Sequence, residues 1–333
     1  MGGVCTPGSP EGSLRGPGRA SGGCFGWSEA VHTRGGFGMI ANPGRICGLR
    51  AFGAGSVGRT RSVRSLYRVD GAGFHPRWAR GRHCGSRGGW DMPSRWEIGL
   101  PGVDPATVRL EWLHAVVSSW FDDGEAAHGA KLKPYSVSPP CRADGGVVVE
   151  VGLLDDTLVP RLLTRASGGT AVRLGNTTVR LRSAPRQVAA VRWADLAAAT
   201  SARAWCLRFA SPVTFRRGDK FSPWPDPAPV LGGLRARWRA FVPPELPPLS
   251  LDLSAGPVWV TDVDGSSEVV RINGRTVSGF VGRLRFECDG DDPTASAVDS
   301  LVRLAPFSGI GAYTTRGFGV TIIEPTWAPR ARR

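Results

Sequence analysis

From Met92 onward this chain carries only two histidines, His114 and His128, and all three of its lysines, Lys131, Lys133 and Lys220. An imidazole titrates near neutrality and can take up or release a proton at working pH, which makes histidine the economical acid or base. His128 stands in Asp122-Asp-Gly-Glu-Ala-Ala-His128-Gly-Ala-Lys131-Leu-Lys133, a polar stretch that reads as a loop just past a helix. Loops commonly carry catalytic groups, and the clustering of two of three lysines beside the histidine is the chemical signal. The plain alternative is a solvated loop histidine beside two surface lysines. His114 falls one position past Leu113, off the apolar stripe of its helix, and so faces either solvent or a cleft.

A second signal lies near the C-terminus, in Phe307-Ser-Gly309-Ile-Gly311-Ala-Tyr313-Thr-Thr-Arg316-Gly317-Phe318-Gly319. Four glycines in this run give a backbone that can approach a polyanion, with amide N–H groups to bind phosphate and Arg316 to add charge. Neither common nucleotide loop fits. A dinucleotide fingerprint needs glycine where Thr314 stands and should follow a strand, and a P-loop needs Gly-Lys-Ser/Thr. Here Val298, Leu301, Val302 and Ala305 have helical spacing, so the order is helix, glycine loop, terminal strand at Val320–Ile323.

That order resembles the C-terminal signature of the RAMP superfamily, in particular the CRISPR-associated endoribonucleases that cut precursor CRISPR RNA within its repeats. His128 followed by Lys133-Pro-Tyr-Ser-Val-Ser138-Pro, then Ser222-Pro-Trp224-Pro-Asp226-Pro before a helix, then Val277-Ser-Gly-Phe-Val-Gly282, are similar to this family in the same order. The resemblance spans roughly Pro93 to Glu324. It implies a repeat RNA as partner and a cleavage in which the ribose 2′-OH attacks the adjacent phosphorus, with a base, an acid and cationic or amide donors supplied by the protein. Such chemistry needs no metal and no cofactor. It also implies a role in cleavage for His128, with Lys133 or Lys131 steadying the developing charge and His114 as a further candidate. Some family members place a tyrosine on the first helix, and the helix expected here over Thr107–Phe121 has none; Tyr135 is expected to pack or to position RNA.

RNA contacts are expected from Gly309, Gly311, Tyr313, Arg316, Gly317 and Gly319, and from the basic loop Arg216, Arg217 and Lys220. Trp224 is available to stack on a base, as RNA-binding proteins commonly arrange; the alternative is a proline-pinned helix entry capped by Asp226. Arg235, Arg237 and Arg239 read as the wet face of the following helix. Two rival functions stay open: a related RAMP subunit that holds guide RNA without cutting it, alone or with other CRISPR effector subunits, and an unrelated RRM-like RNA-binding protein.

The elements that must hold these residues alternate in type. Strands are expected at Arg95–Leu100 and Gly145–Gly152, a helix with Leu113, Val116, Val117, Trp120 and Phe121 on its apolar stripe, a helix at 156–166, and a hairpin around Gly175-Asn176. The second unit repeats the plan, with a strand at Ala204–Ala210, a helix bearing Leu231, Leu234, Trp238 and Phe241, strands at Val258–Val263 and Val269–Ile272 flanking Asp264-Gly265, a strand from Val277, and a helix at Ala295–Leu304. The fold class is therefore α+β, tandem ferredoxin-like (RRM-like) domains with a C-terminal glycine-rich loop. Expected boundaries are 92–201 and 202–325, with a tail over 326–333.

Residues 1–91 stand apart: 13 Arg against 4 acids supply +9 of the chain's net +14, and 23 of the 46 glycines lie there. Without periodic apolar content this Gly/Arg-rich arm cannot offset its chain entropy. It reads as upstream sequence translated from a start assigned too early, with Met92 the natural start, or as an RNA-binding tail. No apolar run is long enough to span a bilayer and no secretory signal is evident, so a cytoplasmic protein without membrane contact is expected.

Overall fold

In the computed structural model, residues 92–254 and 256–327 are described; the expectations for the arm over 1–91 and for the tail beyond 327 lie outside them. The first half runs β1 (Ser94–Pro101), α1 (Leu110–Phe121), α2 (Gly124–Gly129), β2 (Tyr135–Val137), β3 (Cys141–Ala143), β4 (Gly146–Leu153), α3 (Val159–Arg165), the hairpin β5 (Ala171–Leu174) and β6 (Thr177–Arg180), and β7 (Arg186–Ala190). A short α4 (Trp193–Ala197) leads to the second half: β8 (Ala204–Val213), the hairpin β9 (Phe215–Arg217) and β10 (Lys220–Ser222), α5 (Pro227–Phe241), β11 (Val258–Ile272), β12 (Arg275–Cys288), α6 (Asp292–Ser308) and β13 (Thr321–Glu324).

Both halves close a ferredoxin-like sheet. The first has the order β2-β4-β1-β7 with β3 added beside β4, and the second β11-β12-β8-β13. The cause is visible in the side chains. Along β1, Trp96, Ile98 and Leu100 alternate with outward residues and face Val147, Val149 and Val151 of the antiparallel β4. Strand periodicity puts all of them on one face, where the α1 stripe Leu113, Val117, Trp120 and Phe121 covers them. In the second half α5 and α6 bring Leu231, Leu234, Trp238, Val298, Leu301 and Val302 onto Trp205, Leu207 and Phe209 of β8. Trp193 and Leu196 of α4 join this second core, so the connector packs with the domain that follows it.

Three local expectations are corrected. His128 sits in the last turn of α2 rather than in a loop. Val258–Val263 and Val269–Ile272 are one continuous strand, and the reversal lies instead at Asn273-Gly274, both with positive φ, the pattern of a two-residue hairpin turn. Gly265 stays inside the ladder opposite Gly282, because a Cβ there would run into the Phe280 ring and the Val281 carbonyl. Finally α6 reaches Ser308, a turn beyond the expected end and through Pro306, before Gly309 stops it.

A small third cluster joins the halves: Ile272 and Val277 of the hairpin and Phe318 of the glycine loop, packed with Phe221, Val270, Tyr313 and Leu110 of α1. Polar ties reinforce it, since the Asn273 N–H donates to Glu111 Oε1 at 2.7 Å and Ser136 Oγ to the Phe307 carbonyl at 2.8 Å.

Candidate active site

The chemistry-bearing residues of both halves meet where α1, α2 and the glycine loop come together. The His114 and His128 rings have centroids 6.3 Å apart. His114 Nδ1 lies 3.2 Å from the Thr315 carbonyl of the loop. A carbonyl only accepts, so Nδ1 carries the hydrogen and Nε2 keeps its lone pair. Burial, and after it the nearby Arg316 guanidinium, holds His114 below the ordinary imidazole pKa, with the Thr315 hydrogen bond opposing. The ring is neutral at pH 7 and available as a base.

His128 is the more exposed of the two, its side chain 64% accessible. Its Nδ1 lies 3.2 Å from Asp122 Oδ2, which likewise assigns the hydrogen to Nδ1 and turns Nε2 outward. Asp122, directly after α1, is buried and gathers three partners: Lys133 Nζ donates to Oδ2 at 2.8 Å, Tyr135 Oη to Oδ1 at 3.1 Å, and His128 completes the set. Lys133 also donates to the carbonyls of Ala127 and His128. Its ammonium is therefore occupied in fixing α2, and it orients His128 rather than reaching past it. The Tyr135 ring is buried; burial and Asp122 push its hydroxyl well above the usual phenol range, leaving it a permanent donor. Lys131 is exposed.

The glycine loop is a packed turn as much as a surface. Its N–H groups at Ile310, Ala312, Arg316, Phe318 and Gly319 donate to protein carbonyls and that of Val320 to Ser211 Oγ, so these amides already have acceptors within the protein. Gly311, at φ 82°, is needed because a Cβ would meet the Thr214 carbonyl. Tyr313 holds a left-handed conformation at φ 61° and stacks on Phe221 at 5.2 Å, while the Arg316 guanidinium lies 5.8 Å from its ring centroid. Through Phe221 the hairpin bearing the exposed Arg216, Arg217 and Lys220 is anchored to the loop. Trp224 is 46% exposed and meets Phe280 edge-on at 6.4 Å.

Two residues with partners at this site escaped the sequence. Asp122 was one acid of a polar run, and only its place at the helix end could have marked it. Arg237 is buried, not on a wet face. Among the described residues no group of His, Cys, Asp and Glu has the arrangement of a metal site, and no helix is long and apolar enough to cross a membrane.

Two ferredoxin-like halves meet where a glycine loop of the second carries an arginine up to histidines of the first. The family model described as CRISPR-associated endoribonuclease Cas6 matches residues 207–321. Among solved structures, a Cas6 product complex is 26% identical at a TM-score of 0.60, covering 70% of this chain and 99% of that one. A second Cas6 product complex (24%, TM-score 0.59, 70% and 100%) and Cas6 from Thermus thermophilus (24%, TM-score 0.55, 71% and 100%) share the fold. No curated protein matches in sequence. The chain is thus similar to the Cas6-type CRISPR-associated endoribonucleases of the RAMP fold.

Proposed function

We propose that this protein binds CRISPR repeat RNA and cleaves precursor CRISPR RNA within its repeats by a metal-independent route. The observation that carries the reading is the pair of histidines, 6.3 Å apart, each with Nδ1 held by an acceptor and Nε2 free, beside the Arg316 guanidinium. In this reading neutral His114 takes the proton of the ribose 2′-OH as that oxygen attacks phosphorus. The P–O5′ bond breaks, and His128 gives its proton to the departing oxygen. Arg316 neutralises charge on the phosphoryl oxygens. The products are a 2′,3′-cyclic phosphate and a 5′-OH, and each histidine ends in the state the other began in. The relative in complex with its product supports RNA as the substrate, and the exposed Arg216, Arg217, Lys220 and Trp224 supply the surface for it.

Single-turnover cleavage of a cognate repeat RNA tests this. His128→Ala should leave binding nearly intact and slow cleavage by about 10²–10⁴-fold, the usual contribution of one positioned acid or base. His114→Ala should do the same, a 2′-deoxy substitution at the cut site should abolish cutting but not binding, and EDTA should change nothing. A parent protein that binds but cuts no cognate repeat would make it a guide-holding subunit instead.

A further inference from the structure

The arginine of α5 that the sequence assigned to a wet face points inward. Arg237 shares its stripe with Val230, Leu231, Leu234 and Trp238, and is 8% exposed. One of its terminal nitrogens, Nη2, donates to the Gly311 carbonyl at 3.0 Å and to Thr314 Oγ1 at 3.2 Å; the other reaches the Gly233 carbonyl of its own helix at 3.5 Å. Among the described residues no carboxylate lies within ion-pair distance of it, and burial alone pulls its pKa down to about 10. A buried cation without a counter-charge is costly, and a neutral side chain would fill this core position at less expense. Its retention therefore calls for a role.

We infer that Arg237 is the positioning residue of the active-site loop, fixing the turn Thr314–Arg316 from behind so that the Thr315 carbonyl meets His114 and Arg316 faces the scissile phosphate. The path is short. Arg237 holds Thr314, which opens the turn; the next carbonyl, Thr315, holds His114 Nδ1; the next side chain is Arg316. Arg237 also holds Gly311, whose neighbour Ala312 donates to the Thr214 carbonyl, so a single terminal nitrogen, Nη2, ties both ends of the bend while the other anchors the guanidinium to its own helix. It contacts no RNA itself. The inference rests on the reading of His114 as the base, and the test separates the two.

The test compares Arg237→Met, Arg237→Lys and Thr314→Val, which removes the same bond from the loop side, with Leu234→Ala as a control that damages the same core one turn away. Histidine titrations of the free protein, followed by NMR, are the first readout. His114 is faced by Arg316, His128 and Asp122, and its net displacement is downward. Loosening the loop should return its midpoint upward toward the ordinary value, by about half a unit or more, in Arg237→Met and Thr314→Val. Leu234→Ala should leave it in place even at a matched melting temperature. Turnover is the second readout: in the same two variants kcat should fall about tenfold or more with KM little changed, while Arg237→Lys, which keeps charge and a donor but loses the planar guanidinium, should recover part of it. An unmoved His114 midpoint in both variants, or an equal shift in the control, overturns the inference. Because the titration needs no RNA, it still decides the positioning role if the parent proves unable to cut.

Discussion

At the residue scale, Asp122 is what orients His128 for the role proposed for it. One buried carboxylate accepts from Nδ1 of His128, from Lys133 and from Tyr135, and so fixes the ring and the helix that carries it. Asp122→Asn keeps the shape but can no longer accept from all three; cleavage should slow by about tenfold or more, within the range one positioned acid or base supplies, with repeat affinity nearly kept. The pH dependence belongs to His114. As a base it works only when neutral, so the acid limb of kcat/KM, which reports the free protein, should lie below the ordinary imidazole midpoint of about 6.5. The sign for stability is the same: the depressed folded pKa means His114 contributes fully above the unfolded value, and the contribution is lost as pH falls through the folded one. Thermal melts between about pH 7 and pH 5 should show that loss in the parent and less of it in His114→Ala. His128 stood out in the sequence because two of three lysines stand beside it. Asp122 and Arg237 did not, since what distinguishes them is the partner that folding supplies from α2, β2 and the loop.

At the element scale, the glycine loop does two jobs, and substitution should separate them. Gly311→Ala places a methyl group against the Thr214 carbonyl at a φ few L-residues adopt, so it should lower stability by about 1–3 kcal/mol, with any loss of RNA affinity following from that. Arg316→Ala removes no core packing; it should leave the melting temperature within a degree or two and reduce the salt dependence of RNA binding by about one unit of slope. Binding isotherms across a salt series, beside the melts, tell the two apart. Element types were largely readable because the helical stripes and the β1 and β4 alternations each serve one buried face. The long hairpin was misread because Asp264-Gly265 has the composition of a turn. What decides is that Gly265 crosses Gly282 with the Phe280 ring filling the space a side chain would need, while Asn273-Gly274, equally turn-like, meets Glu111 of the other half.

At the scale of the whole molecule, the candidate site lies where the two halves meet. Phe318 of the loop, Ile272 and Val277 of the hairpin, Phe221 beside the basic turn and Leu110 of α1 form one apolar cluster, and His114 lies one helical turn from Leu110. Whatever separates the halves therefore also dismantles the pair of histidines and the loop carbonyl that orients one of them. Two consequences can be measured. Unfolding should be a single cooperative transition by fluorescence and circular dichroism, because opening the joint exposes apolar surface on both sides at once. Phe318→Ala, which empties a fully buried ring position at the joint, should cost about 3–5 kcal/mol and slow cleavage beyond what a core substitution remote from the joint does at the same stability. Leu162→Ala, buried in the first core alone, is that comparison: it should cost about 2–5 kcal/mol yet leave kcat near the parent's at temperatures where it is folded. Two resolved transitions in the parent, or equal kcat in the two variants, would show instead that the halves fold separately and that their joint does not hold the site.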